Sequence, residues 1–148
     1  MKHKIAAALF AGLLSTGASA QVEIQWWHSM GGALGEWVND LAKDFNASQK
    51  DYKIVPTFKG TYDESMTAAI AAFRAGNAPH ILQVFEVGTA TMMASKGAIV
   101  PVGKVMADAG VKFDQGAYVP AVAGYYTAPN GQMLSFPFNS STTVFHYN

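Results

Sequence analysis

The chain has 148 residues, half of them hydrophobic and 14% charged, which favours a packed globular domain and excludes intrinsic disorder. Its formal net charge is zero and it contains no run of lysine and arginine, so nucleic acid is not an expected partner. Because the chain has no cysteine, a disulfide framework and a thiolate metal site are both excluded.

The first twenty residues have the three-part organisation of a secretory signal peptide. A basic segment at 1–4 precedes an apolar run at 5–14, and the segment 15–20 ends in Ala-Ser-Ala, a small-x-small cleavage pattern. We therefore expect export, with cleavage between Ala20 and Gln21. The alternative, an N-terminal anchor helix, is disfavoured because the apolar run is too short to span a bilayer.

Strand patterns and helix patterns alternate over the next part of the chain. We predict strands at 21–27, 52–58 and 81–85, and helices at 32–47, 61–75 and 87–96. An apolar stripe at helical spacing marks the first helix and consists of Leu34, Trp37, Val38, Leu41 and Phe45. Thr61-Tyr-Asp-Glu64 fits a capping box at the start of the second helix. This alternation predicts an α/β fold in which a mostly parallel sheet is flanked by helices.

Shorter elements joined by turns follow. The predicted elements are an extended connection, a short helix and a further turn capped by aspartate, at 99–102, 103–109 and 114–122. Ala128-Pro-Asn-Gly131 separates 124–126 from 132–135, and Asn-Gly in a short connection predicts a β-hairpin. Residues 142–147 have a strand-like pattern, and no closing element follows it before Asn148. We therefore expect the chain to be an N-terminal fragment.

Two polar residues stand at predicted strand ends. Glu86 follows the apolar run 81–85, and His28 follows the first strand. Ligands of open α/β sheets bind just beyond the carboxyl ends of the strands, so both side chains are candidates for ligand contact. The alternatives are a solvated loop carboxylate for Glu86 and a structural role for His28.

Catalytic and metal-binding motifs are absent from the sequence. The four histidines form neither an HxH nor an HExxH spacing, and there is no P-loop and no Gly-x-Ser-x-Gly elbow. We therefore expect a protein that is not an enzyme, has no catalytic residue, binds no metal and uses no cofactor.

Several segments together resemble a known family. The most specific is Val84-Phe-Glu-Val-Gly-Thr-Ala-Thr-Met-Met-Ala-Ser95, and the others are Trp27–Met30, Tyr52–Thr57, Lys59-Gly60 with Tyr62, Gly76–Pro79 and Pro137–Ser141. They resemble the periplasmic solute-binding proteins of glycerol-3-phosphate ABC importers, within extracellular solute-binding protein family 1. The resemblance covers 21–148. It implies a periplasmic-binding-protein-like fold of type II, in which 21–148 form the N-terminal lobe and the start of the inter-lobe crossover, and the second lobe is missing.

The resemblance also implies a site and partners. It assigns ligand binding to Tyr62, Glu86 and Ser141. We also expect His28, at its strand end, and Ser140, beside Ser141, to lie close to the ligand. A carboxylate suits the hydroxyls of glycerol 3-phosphate, whereas tyrosine and serine hydroxyls can donate to phosphate oxygens or to ligand hydroxyls. We therefore expect a monomeric periplasmic carrier that captures sn-glycerol 3-phosphate or a glycerophosphodiester and delivers it to an inner-membrane permease and its ATPase. The alternative is a saccharide-binding protein of the same fold.

Overall fold

A three-stranded parallel sheet forms the centre of the computed structural model, which describes residues 21–95, 97–141 and 143–147. Its strands β1, β2 and β3 are Val22–His28, Tyr52–Phe58 and Ile81–Leu82, in the spatial order β2-β1-β3. In the central strand, Trp26 lies opposite Pro56 on one side and Ile81 on the other. The predicted α/β class with a parallel sheet is confirmed, and the predicted signal peptide at 1–20 lies outside the described residues.

Helices flank the sheet and continue beyond it. The α-helices α1 to α5 are Gly32–Ser48, Tyr62–Arg74, Thr89–Ala94, Val102–Asp108 and Pro120–Tyr125. Two 3-10 turns lie at Glu86–Gly88 and Gln115–Ala117. Helix α1 packs on β2, and α2 packs against β1. Within the described ranges, none of these helices is long and apolar enough to cross a membrane.

The turn between β2 and α2 is built by local hydrogen bonds. Thr61 Oγ1 accepts from the Glu64 amide at 3.3 Å, and Glu64 Oε2 accepts from the Thr61 amide at 2.7 Å. The predicted capping box is therefore confirmed, and such caps stabilise a helix by about 1 kcal/mol. Gly60 has φ +81°, in the left-handed region that favours glycine. This turn places Tyr62 as the first residue of α2, directly beyond the carboxyl end of β2.

The sheet covers only part of the apolar surface of α1. Val38 and Ala42 are buried, while the other members of the predicted stripe are more than a third exposed: Leu34, Trp37, Leu41 and Phe45. Trp37 instead stacks on Phe138, with ring centroids 5.1 Å apart. A sheet of three strands is too narrow to bury the whole stripe.

The third strand is shorter than the sequence pattern predicts. Only Ile81 and Leu82 pair with β1, and the Gln83 amide still donates to the Trp27 carbonyl at 2.9 Å. The neighbouring strand ends at His28, so the residues after Gln83 have no further ladder partner. The predicted third helix accordingly begins at Thr89, after the 3-10 turn, and its predicted end at Lys96 lies outside the described residues.

The second half matches the predicted turns but not the predicted last strand. Thr127 and Met133 form an antiparallel bridge, and the Ala128 amide donates to the Gln132 carbonyl at 2.9 Å, so the tight turn is confirmed. The predicted strand at 142–147 is wrong for residues 143–147, which are not in a strand. An extended segment becomes a strand only when a neighbour supplies ladder hydrogen bonds. Thr142 lies outside the described residues.

Candidate ligand-binding site

The candidate site lies beyond the carboxyl ends of the parallel strands. Tyr62 opens α2 directly after β2, and Glu86 opens the 3-10 turn after β3. Ser141 belongs to the loop after the hairpin, and this loop returns to the same edge. The strand-end position is where open α/β sheets bind ligands.

Glu86 is held by two distant parts of the chain. Its carboxylate Oε1 accepts a hydrogen bond from the Ser141 amide at 3.0 Å, and its main-chain carbonyl accepts from the Tyr125 hydroxyl at 2.5 Å. The Ser141 amide is the main reason why the pKa of the Glu86 carboxyl lies below its usual range, and burial opposes this effect more weakly. Glu86 is therefore a negatively charged hydrogen-bond acceptor at neutral pH.

Tyr62 is held by an aromatic neighbour. Its ring stacks on Phe85 with centroids 5.3 Å apart and an interplanar angle of 21°. Burial raises the pKa of the Tyr62 hydroxyl, contact with the Asn139 side chain lowers it, and the nearby charge of Glu86 raises it. Because the pKa is raised, the hydroxyl stays protonated at neutral pH and can donate a hydrogen bond.

The two serines lie beside these residues in an exposed loop. The Ser141 hydroxyl also lowers the pKa of the Glu86 carboxyl, more weakly than the Ser141 amide does. Ser140 Oγ lies 3.5 Å from the Tyr126 hydroxyl. Tyr62 and Ser141 thus lie beside the carboxylate of Glu86, and Ser140 directly precedes Ser141 in the loop.

His28 lies in a packed environment at the end of β1. It is 3% exposed, and its ring centroid lies 6.0 Å from that of Trp26 and 6.1 Å from that of Phe58. Its Nδ1 accepts from the Met30 amide at 3.3 Å. Burial lowers the pKa of His28, and the Met30 hydrogen bond partly opposes this. The geometry therefore favours a neutral imidazole that packs against its aromatic neighbours.

The buried imidazole gives an expected pH dependence of stability. Because the pKa of His28 is lower in the folded state, the unfolded chain binds the proton more readily. The contribution of His28 to the free energy of unfolding is therefore fully present above about pH 6.5 and is lost as the pH falls below that value. His28→Asn keeps an acceptor for the Met30 amide but does not titrate. We expect the difference in urea-unfolding free energy between wild type and variant to shrink from pH 7.5 to pH 5. A pH-independent difference would contradict this assignment.

Comparison with known proteins decides the family. The profile described as bacterial extracellular solute-binding protein matches residues 31–148. The chain belongs to this solute-binding family. It is 58% identical over 144 residues to the sn-glycerol-3-phosphate-binding periplasmic protein UgpB of Pectobacterium atrosepticum, covering 97% of this chain and 32% of that protein.

Two further relatives carry the same name. The UgpB proteins of Escherichia coli (strain K12) and Brucella abortus (strain 2308) are 57% and 53% identical, over 148 and 131 residues. These alignments cover 99% and 88% of this chain, and 34% and 30% of the relatives. The solute-binding chain thus spans about a third of the length of the curated relatives it matches.

Sequence reasoning missed two amides that organise the site of this solute-binding chain. Gln83 accepts from the Ser29 amide at 3.0 Å and donates to Asn139 Oδ1 at 2.9 Å. Asn139 Nδ2 donates to Met30 Sδ at 3.3 Å. A signal for Gln83 was present, because it is the one polar residue in the apolar run 81–85.

Two tyrosines were also missed. Tyr125 donates to the Glu86 carbonyl, and the hydroxyl of Tyr126 lies next to Ser140. No sequence signal marked them, since they come from the end of a short helix far from Glu86 in the chain. In the described part of this solute-binding chain, no group of three or more His, Asp or Glu side chains could hold a metal ion.

Proposed function

We propose that the protein is the substrate-binding component of an ABC importer and captures sn-glycerol 3-phosphate, or a glycerophosphodiester, in the periplasm. The observation that carries this proposal is the grouping of Tyr62 and Ser141 around the ionised Glu86 at the sheet edge. It is supported by three relatives, 53–58% identical, that are named for binding sn-glycerol 3-phosphate. In this proposal the ligand passes to an inner-membrane permease and its ATPase.

The three side chains match the two ends of such a ligand. The Glu86 carboxylate accepts hydrogen bonds from the glycerol hydroxyls and faces away from the phosphate, because two like charges at close range repel. The protonated Tyr62 hydroxyl and the Ser141 hydroxyl donate to phosphate oxygens or to a ligand hydroxyl. In this arrangement His28 and Ser140 lie close to the ligand without being assigned a hydrogen bond to it.

The proposal also covers the export of the protein and the closure of two lobes around the ligand. Residues 1–20 serve as a signal peptide cut after Ala20, and residues 21–148 serve as the N-terminal lobe and the start of the crossover of a monomeric two-lobed receptor. The chain spans about a third of its relatives' length, which is consistent with further ligand contacts from a second lobe. Hinge closure between lobes then buries the ligand and creates the form that the permease recognises.

The test is calorimetric titration of the protein in its full encoded length. We expect heat from sn-glycerol 3-phosphate or glycerophosphocholine and none from maltose. Recovery of the ligand unchanged, followed by phosphorus NMR, checks that binding involves no hydrolysis. If maltose alone binds, the protein is a saccharide receptor of the same fold, and the glycerol-phosphate assignment is lost.

A further inference from the structure

Gln83 connects three segments that meet at the site. Its backbone amide, directly after β3, donates to the Trp27 carbonyl of β1 at 2.9 Å. Its side-chain Oε1 accepts from the Ser29 amide at 3.0 Å, and its Nε2 donates to Asn139 Oδ1 at 2.9 Å. The backbone of Gln83 is thus fixed by the sheet, and its half-buried side chain reaches a residue 56 positions further along the chain.

Asn139 links the side chain of Gln83 to other residues of the site. Its Nδ2 donates to Met30 Sδ at 3.3 Å, so donor and acceptor ends of its amide are both engaged and have a defined orientation. Its side chain also lowers the pKa of the Tyr62 hydroxyl. It also stands two residues before Ser141, whose amide binds Glu86.

The aromatic contacts of Phe138 constrain the loop at 137–141 less closely than the hydrogen bond from Gln83 does. Phe138 stacks on Trp37 at 5.1 Å and meets Trp26 edge-on at 5.5 Å. Aromatic pairs are favourable over a broad range of offsets and angles, whereas a hydrogen bond weakens steeply outside a narrow range. The directional bond from Gln83 therefore constrains the position of Asn139 more closely than these ring contacts do.

We propose that Gln83 is a positioning residue of the ligand site, which holds residues 139–141 where the Ser141 amide reaches Glu86. The part that concerns affinity rests on the proposed function. The part that concerns the geometry of Glu86 does not depend on which ligand binds.

The first test needs no ligand. Gln83→Met keeps the length of the side chain and removes both hydrogen bonds, and it is introduced into the protein in its full encoded length. Carboxyl-carbon NMR is expected to show the pKa of Glu86 rising toward its usual value, since the Ser141 amide is its main cause of depression. Hydrogen exchange of the Ser141 amide is expected to accelerate about tenfold. Unchanged values for both would overturn the inference.

A matched control separates positioning from general loss of stability. Asn46 makes two side-chain bonds to the backbone of Ile54, at 2.9 and 2.7 Å, and joins α1 to β2. Ile54 pairs with Ile24, four residues before the strand end at which the site lies. Asn46→Ala should therefore lower the unfolding temperature without moving the pKa of Glu86. Gln83→Glu is a second variant, because it still accepts from Ser29 but cannot donate to Asn139.

The second test measures affinity for sn-glycerol 3-phosphate by calorimetry. Gln83→Met and Gln83→Glu are expected to weaken binding about tenfold, and Asn46→Ala less than about twofold. Equal affinity in wild type and both Gln83 variants would overturn the inference. If wild type binds neither phosphate ligand, the proposed function fails, and the NMR comparison alone decides whether Gln83 positions Glu86.

Discussion

Replacing Glu86 with alanine is expected to weaken binding of sn-glycerol 3-phosphate about 100-fold. The carboxylate is ionised and held by the Ser141 amide, and in the proposed function it is the charged acceptor for the ligand hydroxyls. Truncation removes that acceptor and leaves the hydroxyls and the Ser141 amide without their partner. Hydrogen bonds to charged groups contribute more than neutral ones, which is why the expected effect is large.

Two further variants show whether the loss of affinity comes from the charge of Glu86 or from the shape of its side chain. Glu86→Gln retains an oxygen for the Ser141 amide but is neutral, and we expect an intermediate loss of about tenfold. Asp108→Ala also removes one negative charge, from an exposed carboxylate paired with Lys104 at 2.7 Å. It should leave the dissociation constant unchanged. If Glu86→Ala binds as tightly as Asp108→Ala in the same titration, Glu86 has no role in holding the ligand.

Met133→Ala is expected to lower the free energy of unfolding by about 2–5 kcal/mol. Met133 is 2% exposed and bridges to Thr127 in the hairpin that leads into the 137–141 loop. Truncation leaves a cavity that the surrounding structure fills only partly, so lost packing adds to lost hydrophobic burial. Urea unfolding followed by circular dichroism measures the change.

Met133→Leu is the matched control for this cavity. It conserves most of the volume and should cost less than about 1.5 kcal/mol. Equal losses for the two variants would show that a specific contact of the thioether matters and not the filled volume. A loss below about 0.5 kcal/mol for Met133→Ala would show that the hairpin does not pack as the structure has it.

The elements predicted best are those specified by short-range signals. The capping box at Thr61 and Glu64 and the turn that contains Asn130-Gly131 each depend on residues only a few positions apart. The length of strand β3 was overestimated because it depends on where β1 ends, and an apolar run does not contain that information. The same reason explains the absence of a strand at 143–147.

The site was predictable in position but not in detail. The strand-end rule places Glu86 and His28 at the same sheet edge, yet it does not say which way each side chain turns. The His28 ring turns inward, on the same side of β1 as Trp26, whereas Glu86 turns toward the 137–141 loop. The bond between Gln83 and Asn139 spans 56 residues, so it depends on packing that no local pattern encodes.

The two long-range hydrogen bonds that hold Glu86 come from residues that are translated much later. Their donors, Tyr125 and Ser141, lie 39 and 55 positions further along the chain. Contacts this distant in sequence form only after a large loop has closed, which slows their formation. The β1-α1-β2-α2 unit can therefore assemble while the carboxylate is still free. In the proposed function, the site can therefore hold ligand only after the segment from Tyr125 to Ser141 has folded back onto Glu86.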